Sequence, residues 1–505
     1  MNKASAFAGV ALAFLVAGCA QKTVPPLTRP AAGARLPAEE QLRRDLQSIF
    51  SDNAVDHAVW SVSVQSLKHG GSLYSLNPTR MLTPASNQKL ITSAVAADRL
   101  GWDYRYTTKI YSTGTLTNGD LDGDLVVVSN GDPTINPRHP ERWAAFDAWA
   151  KQVYAKGIRR VAGQLIGDDN AFAEPGFGVG WAWDDLVLGY GTPVSALQYN
   201  ENEVELTIRP ALDAGSRAII SALPLGSGII VDNAVSTVAQ GQPNRVSLDR
   251  VPGSNTIRVT GQIAIGASPI RESAAVPNPT IQYLSALRQA LARNGVFVGG
   301  ASLDIDDASL KPDYGHATLL VEDQSPTLDV VIDVVQKWSS NLYSETLLRS
   351  LAPAGAEATA EGGLAIVNET LLKWGVKPEL YVSRDGSGLS RNDYVAADAL
   401  TALLAHVWQD DRLREKFQST LPVSAASGLL ADRMKDTPAA GHVWAKTGSM
   451  SNVRSLSGYL VTLDNEPLVF SIIVNGYHVP STRIEAAMDE ALVRLVKFPR
   501  ELHEE

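Results

Sequence analysis

The texture of this chain changes twice, and that constrains its fold more than any other feature. From about residue 103 to 310, short β-like runs alternate with turns: TTKIYSTGTLTNGD, GDLVVVSNGDP, EVELTIRP, GIIVDNAV and TIRVTGQIAIG. The Asn-Gly pairs in TNGD and SNGD suit tight turns, whose central positions need positive φ. Two stretches inside the block, ERWAAFDAWAKQVYAKGIRRVAGQLIGDD and TIQYLSALRQALARNGVFVGGASLDIDD, each read as helix, glycine turn, then a strand ending in Asp. They look like a weak internal duplication, offset by about one residue.

Outside the block the pattern is different. EEQLRRDLQSIF, residues 39 to 50, reads as a first helix, and HAVWSVSVQSLKHGGSLYSLN as a hairpin turning at Gly-Gly. SPTLDVVIDVVQKW (325 to 338), LYSETLLRSLA (342 to 352), EGGLAIVNETLLKWGV (361 to 376) and ADALTALLAHVWQDD (397 to 411) read as helices. HVWAKTGSM, VRSLSGYLVT and LVFSIIVNGY read as strands, and STRIEAAMDEALVRLVKF as a last helix. Helices in the middle, an antiparallel sheet near the end and a helix from each terminus predict an α+β domain. It is built from residues 39–102 and 311–505, and residues 103–310 are a β-rich insertion into it.

Chemistry enters at PASNQKLIT, where Ser86 and Lys89 stand three apart at a helix start. Residues i and i+3 share a helix face, so the amine can reach the hydroxyl. A serine hydroxyl is a weak nucleophile until a base takes its proton, and a lysine whose pKa is pulled down by burial or a second cation can be that base. The orphan N–H groups and positive dipole end of a helix N-terminus also favour a developing oxyanion. An isolated match of this kind is ordinarily an N-cap and a solvated lysine. Here Lys89 is the chain's one lysine with a serine three before it, and Lys446-Thr447-Gly448 follows downstream in a strand.

S-x-x-K, S-x-N and K-T-G, in that order, form the triplet of penicillin-recognising serine enzymes. S-x-N occurs four times. Ser51-Asp52-Asn53 and Ser75-Leu76-Asn77 precede Ser86 and are set aside. Ser339-Ser340-Asn341, at a break between two helices, is preferred to Ser390-Arg391-Asn392, in a glycine-rich loop. The chain resembles the low-molecular-mass class C penicillin-binding proteins, the D-alanyl-D-alanine carboxypeptidase/endopeptidase family. The resemblance spans roughly residues 40 to 495. It includes the long gap between Ser86 and Ser339, and the stretches LVVVSNGDPTI, GQLIGDDNAF, GWAWDDL, RDGSGLSRNDYV and AKTGSMSNVRSLSGYL. LPVSAASGLLADRM, residues 421 to 434, departs from it by lacking a glycine and a threonine usual there.

The resemblance implies a penicillin-recognising serine transpeptidase/β-lactamase-like domain. The implied reaction is acyl transfer on peptidoglycan peptide stems, with β-lactams as covalent inhibitors and no cofactor. Ser86 would attack the carbonyl of a penultimate D-alanine or of a D-alanyl-diaminopimelate cross-link, with Lys89 as general base. Ser339 would relay a proton to the leaving amine, Asn341 would orient Lys89 and the substrate amide, and Lys446 would keep the amine pKa values low. Thr447 would bind a substrate carboxylate beside Gly448, and the N–H groups of Ser86 and Ser449 would form the oxyanion hole. Asp168 would face the site from the insertion and bind the amine of diaminopimelate, against the plainer reading of a strand-end Asp. Asp385 would hold a loop near the site, with Gly386 and Gly388 supplying turn conformations. Trp181 and Trp183 read as buried core aromatics rather than as a glycan-facing surface.

Composition excludes other classes. A net charge of −10 argues against nucleic acid. The eight histidines show no H-E-x-x-H or similar cluster, so no metal is expected. At the N-terminus, Lys3, an apolar run from Ala4 to Ala17 and Gly18-Cys19 read as a signal peptide over 1–18. V-A-G-C resembles the bacterial lipobox, which would lipidate Cys19, the single cysteine. Residues 19–38, rich in Pro and Ala, would be a tether between lipid and domain. The chain would then be periplasmic and held on a membrane by lipid, and Ala20 in place of Asp leans towards the outer membrane. The competing readings are a β-lactamase or esterase using the same triplet, and an inactive lipid-anchored wall binder.

Overall fold

LVFSIIV is unbroken by any charged residue, and its position in the fold explains why. Pro467–Asn475 is the middle strand of a five-stranded sheet, ordered Ser72–Leu76, Val59–Ser66, Pro467–Asn475, Val453–Val461, Val443–Met450. Every pairing in this sheet is antiparallel. Successive side chains leave a strand on opposite faces. Leu468, Phe470, Ile472 and Val474 pack with the terminal helices Ala38–Phe50 and Ser481–Val496. Val469 and Ile473 pack on the other face with Leu400, Leu403 and Val407 of the helix Ala397–Gln409. A strand covered on both sides needs no polar alternation.

The computed structural model describes residues 37–499 apart from 53, 54, 56, 252 and 354–357. The signal peptide, Cys19 and nearly all of the tether expected from the sequence lie outside the described residues. The described residues from Ala38 onward form one compact unit. In its sheet the hairpin turns at Gly70 and Gly71, with φ of +70° and +82° that a β-carbon would penalise. Five helices besides Ala397–Gln409 contribute to the core on the second face: Gln88–Leu100, Leu328–Lys337, Asn341–Ser350, Ala360–Lys373 and Arg414–Thr420.

The β-rich block makes its own sheets, and among the described residues none of its strands pairs with the five-stranded sheet above. Its main sheet runs Ser302–Asp304, Leu165–Asp168, Leu125–Ser129, Thr107–Ser112, Thr318–Gln324, against the helices Ala145–Ala155 and Pro279–Arg293. The strand Thr318–Gln324 falls beyond residue 310, so this sheet draws on residues the sequence reading gave to the helical part. The two similar stretches lie side by side. Phe297–Val298 pairs in parallel with Arg160–Val161, and Ser302–Asp304 with Leu165–Gly167. Their helices pack together in one core through Phe146, Trp149, Tyr283 and Leu287. A four-stranded sheet, ordered Phe297–Val298, Arg160–Val161, Asp120–Asp122, Thr115–Thr117, and two three-stranded sheets complete the block.

Phe470 is fully buried on the terminal-helix face. Phe470→Ala should cost about 3–5 kcal/mol, read as a lower urea midpoint by circular dichroism; an unchanged midpoint would mean that this core does not carry the fold.

Candidate active site

Ser86 sits in a tight 3-10 turn, Ala85–Asn87, that leads into the helix Gln88–Leu100. Ala85 holds a left-handed φ of +47°, an uncommon conformation for a residue with a side chain. Three contacts fix the turn against the sheet edge and a loop. Asn87 Nδ2 donates to the Lys446 carbonyl at 2.8 Å, and Ser455 Oγ donates to the Pro84 carbonyl at 2.6 Å. Gly448 allows the third: a β-carbon there would lie 2.1 Å from Ser455 Oγ, 2.7 Å from Pro84 O and 3.1 Å from Ser86 N. Gly388 does the same from the loop, since a β-carbon on it would lie 1.9 Å from the Ala85 carbonyl oxygen.

Lys89 is completely buried. Its Nζ lies 2.9 Å from Ser86 Oγ, 2.6 Å from Asn341 Oδ1 and 2.7 Å from the Ser387 carbonyl. Asn341 Nδ2 donates to the Tyr190 carbonyl at 2.8 Å, so its amide oxygen is the atom facing Lys89. A neutral amine has two N–H groups and one lone pair. Asn341 Oδ1 and the Ser387 carbonyl can only accept, so they take both N–H groups and leave the lone pair for the Ser86 hydroxyl. Burial lowers the Lys89 pKa to about 7, against the opposing pull of Asp385, Glu345 and Asp393.

Lys446 is also fully buried, its Nζ 2.8 Å from Ser339 Oγ and 2.9 Å from the Thr447 carbonyl. Its pKa falls well below the usual lysine value, first through burial and then through the charge of Lys89. Burial is the first cause of the lowered pKa of both amines, and their mutual repulsion works in the same direction. Ser339 stands at the break between Leu328–Lys337 and Asn341–Ser350 with φ of +60°.

These groups border a cavity of about 310 Å³, lined by Ser86, Ser339, Asn341 and Ser449 together with Asp185, Tyr190, Leu389, Arg391 and Met450. Thr447 and Gly448 precede Ser449 on the strand Val443–Met450. Depressions of about 570 and 600 Å³ beside the helix Ala38–Phe50 hold none of the motif residues, so convergence of the triplet, not size, marks the site.

Asp168 is not brought to this cavity. It ends the strand Leu165–Asp168, where its carboxylate accepts from the Tyr314 hydroxyl and from Asn170 N at 3.2 Å. The insertion's carboxylate at the cavity is Asp185, bonded to the Tyr190 hydroxyl at 2.7 Å. GWAWDDL holds that carboxylate two residues after Trp183. Trp183 is 71% exposed, not a core residue, and Trp181 donates to Asp385 Oδ2 at 2.8 Å. Asp385 does hold its loop, accepting from Gly388 N and Ser390 N at 2.6 Å each. Gly388 has φ of +79°, whereas Gly386 serves close packing, because a β-carbon there would lie 2.9 Å from Leu348 Cβ. Ser390 Oγ donates to the Val179 carbonyl at 2.7 Å, which turns that S-x-N away from Lys89.

The sequence pattern of the D-Ala-D-Ala carboxypeptidase 3 (S13) family matches residues 42–495. The chain belongs to this family. A D-alanyl-D-alanine carboxypeptidase of Actinomadura sp. (strain R39) is 34% identical over 485 residues, covering 94% of this chain and 87% of that protein. The D-alanyl-D-alanine carboxypeptidase DacB of Haemophilus influenzae is 27% identical over 435 residues, covering 85% of this chain and 87% of that one. The crystal structure of penicillin binding protein 4 (dacB) from Haemophilus influenzae shares the fold, with a TM-score of 0.78 at 24% identity over 90% of this chain and 100% of that one.

Gly448→Ala would push the sheet edge off the Ser86 turn. Displacements near 1 Å cost about 100-fold in rate, so acylation by benzylpenicillin should fall by that order while the melting temperature changes little. An unchanged rate would mean the close approach is dispensable.

Proposed function

We propose that this serine D,D-peptidase of peptidoglycan works through Ser86 as nucleophile and Lys89 as general base. The observation that carries the assignment is the contact set of Lys89 Nζ, which leaves its lone pair facing Ser86 Oγ. Ser86 attacks the carbonyl of the penultimate D-alanine, or of a D-alanyl-diaminopimelate cross-link, and its proton passes to Lys89. The N–H groups of Ser86 and Ser449 receive the oxyanion; such donors are each worth about 3 kcal/mol. Ser339, within reach of Lys446 Nζ, passes a proton to the leaving amine. Thr447, beside Gly448, binds the terminal carboxylate. Water then hydrolyses the acyl-enzyme, and a β-lactam stops at that stage. The β-lactam complex of Haemophilus influenzae penicillin binding protein 4, a protein of the same fold, supports this reading.

Asp185 and Arg391 line one cavity and carry opposite charges. A D-centre bearing both an amine and a carboxylate, as at the end of diaminopimelate, complements that pair. Asp185 takes over the amine-binding role expected of Asp168. We further propose that residues 1–18 are a lipoprotein signal, that Cys19 carries lipid, and that the chain is periplasmic and tethered to a membrane, the outer one by the absence of Asp after Cys19. No helix among the described residues is long and apolar enough to cross a membrane. Two acyl chains would suffice for stable attachment.

Intact-mass spectrometry with benzylpenicillin, on wild type and Ser86→Ala, tests the assignment. One long-lived adduct on wild type and none on the variant is expected. Its formation rate should fall as pH drops below about 7, because Lys89 then holds a proton and cannot take one. Rapid loss of penicillin without a lasting adduct would mean a β-lactamase, and neither adduct nor hydrolysis would mean an inactive wall binder. For the amine site, Asp185→Asn should raise KM about tenfold for a diaminopimelyl substrate and leave penicillin acylation unchanged. An unchanged KM removes Asp185 from that role.

A further inference from the structure

The base of this site rests on a buried carboxylate that the triplet does not contain. Glu345 lies on the helix Asn341–Ser350, one turn after Asn341 and therefore on the same face. It is fully buried. Its Oε1 accepts the N–H groups of Gly386 and Ser387, each at 2.8 Å. The Ser387 carbonyl, on the other side of the same residue, accepts from Lys89 Nζ at 2.7 Å. Asn341 and Glu345 thus hold Lys89 from one helix, the first directly and the second through the backbone of Ser387.

We propose that Glu345 is a positioning residue for the general base. By fixing Ser387 it aims one of the two acceptors that consume the N–H groups of neutral Lys89, and so decides that the lone pair faces Ser86. By its negative charge it also biases Lys89 towards the protonated form. This inference rests on Lys89 being the base.

Every charged group around it belongs to the same balance. Arg349 on its own helix lies 3.5 Å from Glu345, and faces Glu361 on the helix Ala360–Lys373. Asp385 and Asp393 approach from the loop, Lys89 from the Ser86 helix, and Lys446 from the sheet edge behind Lys89. Burial and then Asp385 raise the Glu345 pKa, while Arg349 opposes the rise. Isolated carboxylates so placed would be protonated. Arg349 and the N–H groups of Gly386 and Ser387 make an ionised one tenable here.

Glu345→Gln keeps an acceptor for both N–H groups and removes the charge. Losing a nearby anion lowers the Lys89 pKa, so the acid limb of benzylpenicillin acylation should move to lower pH by about one unit, with the plateau rate within about threefold of wild type. Glu345→Asp keeps the charge but shortens the reach: its limb should stay in place while the plateau falls at least about tenfold. A Glu345→Gln limb that does not move overturns the proposal. So does a Glu345→Asp plateau equal to that of wild type, and this second variant decides the matter if the first does not fold. Failure of the underlying mechanism looks different, since wild type would then form no Ser86 adduct at all.

Discussion

Two lysines with no solvent exposure, one of them against Ser86, set the terms for the rest of this structure. Burying an amine costs several kcal/mol unless it loses its proton or finds partners. Both outcomes occur here. Desolvation brings Lys89 into the range where it can be neutral at ordinary pH, and three oxygen contacts hold its direction. Asp385, Glu345 and Asp393 stop the shift from going further, each of them buried and each raising the lysine. The site is a set of opposed charges around one buried amine.

That balance requires close approach of segments far apart in the chain. The Ser86 turn, the Lys446 strand and the Asp385 loop meet at distances where a single β-carbon is too much. Gly448 and Gly388 are the two positions where this is decided. Strain appears beside them, in the left-handed backbone of Ala85 and Ser339. Such conformations cost on the order of 1–3 kcal/mol each and persist where surrounding contacts over-determine them. The contacts of Asn87, Ser455 and Lys446 do so here.

The β-rich block takes part in this arrangement. The Tyr190 carbonyl orients the Asn341 amide, and Trp181 bonds to the carboxylate that shapes the Ser387 loop. Asp185 and Tyr190 border the cavity itself. A stretch that interrupts the helical part in sequence therefore supplies both a wall of the site and part of its bracing. Its own stability comes from the paired repeats, whose parallel strands and shared helical core make one body from two similar halves.

Much of this was legible in the residues. The two faces of the central sheet follow from period-two alternation and an unbroken apolar strand. Ser86, Lys89, Ser339, Asn341 and Lys446 follow from an ordered motif whose spacing within each element is local. Glu345 was within reach too, since it stands four residues after Asn341 on a helix. What the sequence could not decide was which distant side chains face the cavity. Asp168 and Asp185 both follow glycine-containing stretches in one block, and nothing in their local pattern separates a strand end bonded to Tyr314 from a turn bonded to Tyr190. The edge strand Thr318–Gln324 escaped for a related reason: its identity lies in pairing with Thr107–Ser112, not in its own pattern. Local chemistry, set by spacing along a helix or strand, is written in the chain. Burial and the side of the fold a carboxylate faces depend on how separate segments pack around it, and only the folded structure settles those.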